Sequence, residues 1–178
     1  MAEAGGAAMD RDIGFSAVFA APCFALGVRC DDQRVLGIEF LPSQAARPAR
    51  DSLSQLVLSQ LAAYFDDPAC GFRLPLATEG SVFQRRVWAE IAAIPSGSIR
   101  HYGDLAHTLG SSARAVGQAC GANPYPVVVP CHRVLAKAAG GASALGGFAH
   151  SRASDWLAIK RWLLLHEGAS PWNDEACR

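Results

Sequence analysis

The chain has 178 residues, of which 51% are apolar and 18% charged, so it can bury a sizeable core and is not a generally disordered protein. No apolar run approaches the ~18 residues of a membrane span, so we expect no membrane partner. The N-terminus carries acidic residues and no apolar core segment, unlike a signal peptide, so we expect a cytoplasmic protein.

The formal net charge is zero, but the charges are unevenly distributed along the chain. Residues 1–80 carry six arginines against ten acidic residues, a net charge of −4. Residues 81–161 carry nine lysines and arginines against three acidic residues, a net charge of +6, and the remainder is acidic. Such an asymmetry indicates either a polyanion site on the second half or a solvated basic face.

The six cysteines do not have the spacing of a disulfide framework or a zinc site. None belongs to a C-x-x-C pair, and cytosolic proteins keep their thiols reduced. We therefore expect reduced thiols, most of them small packing residues, and no bound metal.

The first part of the chain predicts a small mixed α/β domain over 13–78, preceded by a loose tail of residues 1–12. Two segments, 13–19 and 35–41, have the composition of short strands. Apolar residues between 53 and 64 recur at helical spacing and predict an amphipathic helix. These elements hold no group of side chains that indicates chemistry.

The second part, 79–178, predicts a mostly helical domain. A helix over 82–94 is followed by a turn and by two short helices, 102–109 and 113–122, which are separated by Gly110. Two short helices around a glycine turn are typical of a helix-turn-helix, although this pattern alone is weak evidence for DNA binding.

Small residues dominate the second helix of this pair. Each of its two glycines costs ~1 kcal/mol relative to alanine, so intrinsic helix propensity does not explain them. Either the helix packs tightly against a neighbouring helix, or it lies in the minor groove of DNA, which at ~6 Å is too narrow for large side chains. In the second case Arg114, close behind a candidate N-cap at Ser111 or Ser112, could enter the base stack.

The strongest signal is the segment 123–134, which reads NPYPVVVPCHRV. Its run of valines between prolines predicts a buried strand with fixed ends, followed directly by Cys131. His132 can act as the base that forms the thiolate, and Arg133 supplies an adjacent positive charge. A cysteine needs such help because its ordinary pKa of ~8.5 leaves little thiolate at neutral pH.

This segment resembles the signature of the O6-alkylguanine-DNA alkyltransferase family, also called the methylated-DNA–protein-cysteine methyltransferases. The family's I/V-P-C-H-R-V string is matched by 129–134, and its preceding Asn-Pro by 123–124. Further family strings follow in the same order within 72–168: FQRRVW at 83–88, IP-x-G at 94–97, YG-x-LA at 102–106, RAVG at 114–117 and KRWLL-x-HEG at 160–168.

The resemblance implies an α/β (α+β) fold with a small mixed α/β, ribonuclease-H-like N-terminal domain and a mostly helical, helix-turn-helix (winged-helix-like) C-terminal domain. It implies repair of O6-alkylguanine, and also of O4-alkylthymine, in double-stranded DNA by transfer of the alkyl group to Cys131. Because the thioether product has no good leaving group, each molecule acts once. The reaction implies no cofactor, no metal and no obligate protein partner.

The resemblance also assigns catalytic roles. Cys131 takes the alkyl group by in-line displacement, while His132, polarised by Glu167, draws off the thiol proton through a water. Tyr102 donates to N3 of the guanine. Asn123 braces the turn between the recognition helix and the active-site segment.

For DNA binding, the resemblance implies that Arg114 fills the gap left by the flipped base. The other expected DNA-contact residues are Ala113, Ala115, Gly117, Arg133 and Tyr102. The expected substrate pocket comprises Val134, Phe148 and Ala149. The loop that closes over the base departs from the family pattern, since it is several residues longer over 146–157 and carries Phe148 where a tyrosine is usual. The sequence therefore assigns neither the amide that contacts O6 nor a preferred lesion size.

Two other functions fit part of the pattern. Alkyltransferase-like proteins share the small-residue helix and its arginine but bind lesions without transfer, and they carry tryptophan where this chain has Cys131. A thiol hydrolase could use Cys131 and His132 on a small molecule, but it would need neither the basic second half nor the helix of small residues.

Overall fold

The computed structural model describes residues 14–137, 143–145 and 154–169. These residues form five α-helices and two three-stranded sheets, a mixed α/β architecture. The chain divides into two compact units. One comprises the described residues up to Asp66 together with Phe72–Ala77, and the other comprises Asp67–Gly71 and the described residues from Thr78 onward.

The first unit is an antiparallel sheet with one helix. Its elements are β1 (Ala17–Ala20), β2 (Ala25–Cys30), β3 (Val35–Leu41) and α1 (Ser52–Asp66), with the strands in the order β1-β2-β3. The predicted strand at 35–41 and the predicted helix are confirmed, and β1 overlaps the predicted strand at 13–19. The sequence pattern does not predict β2, because Gly27 and Arg29 interrupt its apolar residues.

One apolar face of α1 packs into the core of this unit. Its buried apolar residues are Val57, Leu61 and Tyr64, which follow helical spacing. The carboxylate of Asp51 accepts from the backbone N of Ser54 at 2.7 Å and satisfies an otherwise unpaired donor at the start of the helix. The ring of Phe65 lies 5.0 Å from that of Phe19, so the helix and β1 are joined by an aromatic contact.

The second unit is mostly helical. Its helices are α2 (Val82–Ala92), α3 (Tyr102–Leu109), α4 (Ala113–Gly121) and α5 (Ser154–His166). Its small sheet comprises β4 (Arg100–His101), β5 (Val134–Lys137) and β6 (Ser143–Ala144), with β4 parallel and β6 antiparallel to β5. The central strand β5 begins directly after the turn that carries Cys131, so the sheet restrains the position of that residue.

Local signals set the ends of α3 and α4. Gly110 ends α3 with a φ of 62°, the left-handed conformation that glycine adopts without strain. The Ser112 hydroxyl accepts from the backbone N of Ala115 at 3.2 Å, which makes Ser112 rather than Ser111 the N-cap of α4. The two predicted helices around the glycine turn are confirmed to within one residue.

The strand predicted over the valine run is wrong. Residues 126–129 form a tight turn, in which Pro126 and Val129 make a single β-bridge. Val127 has a φ of 73°, in the left-handed region that a β-branched residue rarely adopts. The flanking prolines cannot donate to a strand ladder, so the segment turns and the strand begins only at Val134.

Candidate active site

Cys131 is the first residue of a 3-10 turn formed by Cys131–Arg133. Its backbone N donates to the carbonyl of Val129 at 2.8 Å, and only 5% of the residue is exposed. Burial raises the pKa of the Cys131 thiol, while a hydrogen bond from Asn123 and the positive charge of Lys160 oppose this shift. The thiol therefore needs a base to accept its proton at neutral pH.

Asn123 connects the end of α4 with the turn that carries Cys131. Its Nδ2 donates to the carbonyl of Val129 at 2.8 Å, and its Oδ1 accepts from the backbone N of Tyr125 at 3.0 Å. The same Val129 carbonyl accepts from the backbone of Cys131. One side chain thus restrains both ends of the segment that precedes the cysteine.

His132 and Glu167 form a fully buried pair, with 2.8 Å between Nε2 and Oε1. A carboxylate only accepts hydrogen bonds, so Nε2 carries the proton and Nδ1 carries the lone pair. Among the described residues Nδ1 has no hydrogen-bond partner. Burial lowers the pKa of His132 and Glu167 opposes the shift, so the imidazole is neutral at neutral pH and Nδ1 can act as a base.

Arg133 was expected to contact DNA, which stays a prediction, and in the structure its guanidinium bonds to Glu167. Its Nε and Nη2 each donate to Glu167 at 2.8 Å, and its Nη1 donates to the carbonyl of Ile94. Only 10% of the side chain is exposed. This bidentate bond to a buried carboxylate holds Glu167 in place for His132.

Arg133→Met is expected to destabilise the fold by about 3–5 kcal/mol, because it leaves the buried carboxylate of Glu167 without its charged partner. Arg100→Met is the matched control, since the Arg100–Glu90 pair is about one-third exposed. Its loss should cost at most ~1 kcal/mol. Urea unfolding at neutral pH measures the loss of unfolding free energy in each variant. Equal losses would show that the buried pair contributes no more to stability than the exposed pair.

Tyr102 begins α3 and lies beside Lys160, whose Nζ is 5.7 Å from the centre of the Tyr102 ring. Burial raises the pKa of the phenol, and the nearby thiols of Cys120 and Cys131 raise it further when ionised. The hydroxyl therefore keeps its proton at neutral pH and can donate a hydrogen bond.

The outer face of α4 carries small residues and Arg114. Ala113 and Arg114 are exposed, Ala115 and Gly117 are partly exposed, and Val116, Ala119 and Cys120 are buried. A Cβ placed on Gly117 would meet no heavy atom of the described residues beyond its own helix within 4 Å. Packing within this part of the chain therefore does not require the glycine. Of the two explanations for the small residues of α4, this favours a close approach of the helix to another molecule over tight packing against a neighbouring helix.

The expected pocket residues are only partly described. Val134 is buried, its backbone N donates to the carbonyl of Cys131, and its own carbonyl accepts from Lys160 Nζ at 2.7 Å. Phe148 and Ala149 lie outside the described residues, as does most of the 146–157 loop.

Two comparisons decide the family. The family model for the 6-O-methylguanine DNA methyltransferase DNA-binding domain matches residues 82–169. A methylated-DNA–protein-cysteine methyltransferase of Methanosarcina acetivorans is 32% identical over 163 residues, which cover 87% of this chain and 99% of that protein. This chain belongs to the methylated-DNA–protein-cysteine methyltransferase family.

Other members show how far the likeness extends. A methylated-DNA–protein-cysteine methyltransferase of Shigella flexneri is 47% identical over 97 residues, 53% of this chain. The match spans about half of that relative, 52% of its length. The structure of Mycobacterium tuberculosis OGT in complex with DNA is similar with a TM-score of 0.68 and 32% identity, over 84% of this chain and 90% of that one.

Lys160 received no role from the sequence, although it lies in a string shared with the methyltransferase family. It is fully buried on α5. The signal that could have identified it is its spacing, because Lys160 lies about two helical turns before Glu167, the residue that directly follows α5.

The described residues contain no candidate metal site, no membrane-spanning helix and no disulfide. No group of three or more His, Cys, Asp or Glu side chains there could hold a metal ion. No described helix is long and apolar enough to cross a membrane. The five cysteines within the described ranges form no disulfide.

Proposed function

We propose that this protein repairs O6-alkylguanine in double-stranded DNA by transferring the alkyl group to Cys131. The observation that carries the proposal is the buried pair of His132 and Glu167, which leaves a basic Nδ1 on the residue next to a buried thiol. The reactions named for its relatives support the same chemistry.

The reaction is a single displacement. His132 accepts the thiol proton through a water, and Glu167 stabilises the resulting imidazolium. The sulfur forms a bond to the alkyl carbon as the bond from that carbon to O6 breaks, and the electron pair passes to the guanine. Tyr102 donates to N3 of the leaving base, which reduces the negative charge that develops on it.

Once Cys131 carries the alkyl group as a thioether, the protein can transfer no further group. Neither the sulfur nor the alkyl group is then a good leaving group, so the thiol is not regenerated. The reaction as written consumes no cofactor and uses no metal ion, and the two substrates are the protein and the lesion.

DNA lies on the outer face of α4 in this proposal, with the helix in the minor groove. Ala113, Ala115 and Gly117 permit the close approach, and Arg114 fills the gap left by the flipped base. The net charge of +6 over residues 81–161 supports a polyanionic partner. The proposal extends to O4-alkylthymine, to a cytoplasmic location, and to the ribonuclease-H-like and winged-helix-like descriptions of the two domains.

The alternatives are less well supported. A non-transferring lesion binder has no use for a thiol beside a base, whereas here Cys131 precedes a histidine with an unprotonated Nδ1. A thiol hydrolase would not need the small-residue face of α4, where Gly117 leaves open space.

Stoichiometry tests the proposed function. A fixed amount of protein is titrated with duplex DNA that contains O6-methylguanine, and the restored guanine is counted. We expect one guanine restored for each chain, with no further turnover at long times. Repair that continues beyond one equivalent would contradict a self-consuming transfer, and no repair at all would favour the lesion binder.

The pH dependence of transfer follows from His132. Since burial lowers its pKa, the transfer rate is expected to stay constant from neutral pH to below about 6.5, the ordinary pKa of histidine. The unfolded chain binds this proton first, so stability that is present above about 6.5 is lost as the pH falls toward the folded pKa. Single-turnover rates and urea unfolding across this range measure both effects. If the transfer rate fell with a pH midpoint above about 6.5, the ordinary pKa of histidine, His132 would not be a neutral buried base.

A further inference from the structure

Gly97 lies in a turn that takes no direct part in alkyl transfer. The turn comprises residues 95–98, since the backbone N of Ser98 donates to the carbonyl of Pro95 at 3.1 Å. Gly97 is its third residue and has a φ of 75°. A positive φ at this position is typical of a type II turn, which accepts glycine or asparagine there. The turn therefore needs a residue that tolerates the left-handed region, but it does not by itself require glycine.

Because Gly97 has no side chain, its backbone can approach the residue that polarises His132. A Cβ placed on Gly97 would lie 3.0 Å from the backbone carbonyl oxygen of Glu167, closer than carbon and oxygen ordinarily pack. Among the described residues outside the turn, such a Cβ would meet no other heavy atom within 4 Å. Gly97 is exposed, so packing in the core does not explain the glycine. The space that it leaves is specific to Glu167.

The same segment also holds the side chain of Glu167. The carbonyl of Ile94, the residue directly before the turn, accepts from Nη1 of Arg133. Arg133 in turn donates from Nε and Nη2 to the carboxylate of Glu167 at 2.8 Å. Ile94 is buried at the end of α2, so this carbonyl has a fixed position. Residues 94–98 thus restrain the backbone of Glu167 directly and its carboxylate through Arg133.

A side chain at position 97 would disturb this arrangement whichever partner moves. If the turn moves away, the carbonyl of Ile94 moves with it and Arg133 loses an acceptor. If Glu167 moves, the 2.8 Å bond between its Oε1 and Nε2 of His132 is lengthened. A charge-assisted bond of this kind depends on a short distance and good alignment. His132 then receives less help from Glu167 when it becomes an imidazolium.

We propose that Gly97 is a positioning residue for alkyl transfer, whose lack of a side chain lets the turn of residues 95–98 lie against the Glu167 carbonyl and so holds the Glu167 carboxylate on Nε2 of His132. The inference rests on the proposed function in one respect, namely that His132 accepts the thiol proton. In this role Gly97 contacts neither the thiol nor the lesion, and it acts through Glu167.

The test compares two variants of Gly97 with a matched control in the full chain. Gly97→Asn adds a Cβ but keeps a residue that tolerates a positive φ, whereas Gly97→Ala adds the Cβ together with backbone strain. Gly110→Ala is the control, because Gly110 has a φ of 62° and a Cβ there would meet no heavy atom of the described residues beyond its chain neighbours within 4 Å. It introduces the strain without the contact. Thermal unfolding checks that each variant is folded.

The first measurement is the proton NMR signal of the Nε2–H group of His132 in protein with labelled histidine. A short bond to a carboxylate shifts such a signal downfield, and the spectrum of His132→Gln identifies it among the five histidines. We expect the signal to move upfield in both Gly97 variants, because the bond to Glu167 lengthens, and to stay in place in Gly110→Ala. A role confined to folding would lower the melting temperature without moving this signal.

The second measurement is single-turnover transfer from duplex DNA containing O6-methylguanine, with the DNA at saturation. We expect Gly97→Asn to lower the maximal rate at neutral pH by about tenfold, the factor that corresponds to one pKa unit of lost basicity at His132. Its affinity for the duplex should be unchanged, since the variant alters the base and not the DNA-contact face of α4.

An unchanged Nε2–H signal in folded Gly97→Asn would overturn the inference, as would an equal shift in Gly110→Ala, since strain alone would then suffice. A shifted signal with an unchanged maximal rate would also overturn it, because the position of Glu167 would not limit transfer. If Gly97→Ala does not fold, Gly97→Asn decides, and if neither folds, Gly97 serves the fold and the inference fails. Failure of the proposed function is distinguishable, because the unaltered chain would then show no alkyl group on Cys131 after reaction with DNA, whatever its NMR signal.

Discussion

Cys131→Ser is expected to bind duplex DNA containing O6-methylguanine like the unaltered chain but to transfer no methyl group. A serine hydroxyl is a far poorer nucleophile than a thiolate at neutral pH, and His132 alone cannot ionise it. The exchange is conservative for the turn, because the backbone bond from residue 131 to Val129 does not involve the side chain. Single-turnover transfer and equilibrium binding measure the two properties separately.

Cys120→Ser is the matched control for this variant. Cys120 is as buried as Cys131, at 5% exposed, and burial raises the pKa of its thiol to about 12. Unlike Cys131, it has no histidine next to it in the chain to accept its proton, so its replacement should leave transfer intact. Appreciable transfer by Cys131→Ser, or its loss in a folded Cys120→Ser, would show that the acceptor is assigned to the wrong cysteine.

Arg114→Ala is expected to slow repair of duplex DNA by one or more powers of ten, at ~1.4 kcal/mol for each tenfold change. Flipping a base costs a few kcal/mol in lost stacking and pairing, and the side chain that fills the gap stabilises the flipped state. Reaction with free O6-benzylguanine involves no flipping and should change little. Single-turnover rates on both substrates, with duplex binding at two salt concentrations, separate these effects.

Arg86→Ala provides the comparison, because Arg86 is also an exposed arginine on a helix of the second unit. It should lower the rate on duplex DNA much less than Arg114→Ala. Equal losses of Arg114→Ala on duplex and free base would indicate a damaged fold. A loss confined to salt-dependent affinity, with a salt slope reduced by ~1, would make Arg114 a phosphate contact instead.

Elements bounded by local signals could be predicted from the sequence. The Gly110 turn and the serine N-cap define α3 and α4, because a left-handed glycine and a capping hydroxyl act within a few residues. The strand predicted over the valine run is wrong because residues outside the run determine its conformation. Consecutive β-branched residues favour a strand, but the prolines beside them and the bonds of Asn123 produce a turn in which Val127 has a positive φ.

In the candidate site, too, the residues that a local motif contains could be predicted and those that depend on tertiary packing could not. Cys131 and His132 are neighbours in the sequence, so their chemistry could be inferred from the motif itself. Glu167 is distant in the sequence, and only the family resemblance indicated it. The burial of Lys160 and the pairing of Arg133 with Glu167 depend on how α5 packs against the turn, which no local pattern encodes.

Peptide mass mapping after reaction with one equivalent of O6-methylguanine duplex tests the central claim most directly. The claim predicts that the peptide containing Cys131 gains the mass of one methylene group, while the peptides of the other five cysteines are unchanged. A methyl group on Cys120 or on any other residue, or restored guanine in the DNA without a methylated protein, would contradict it.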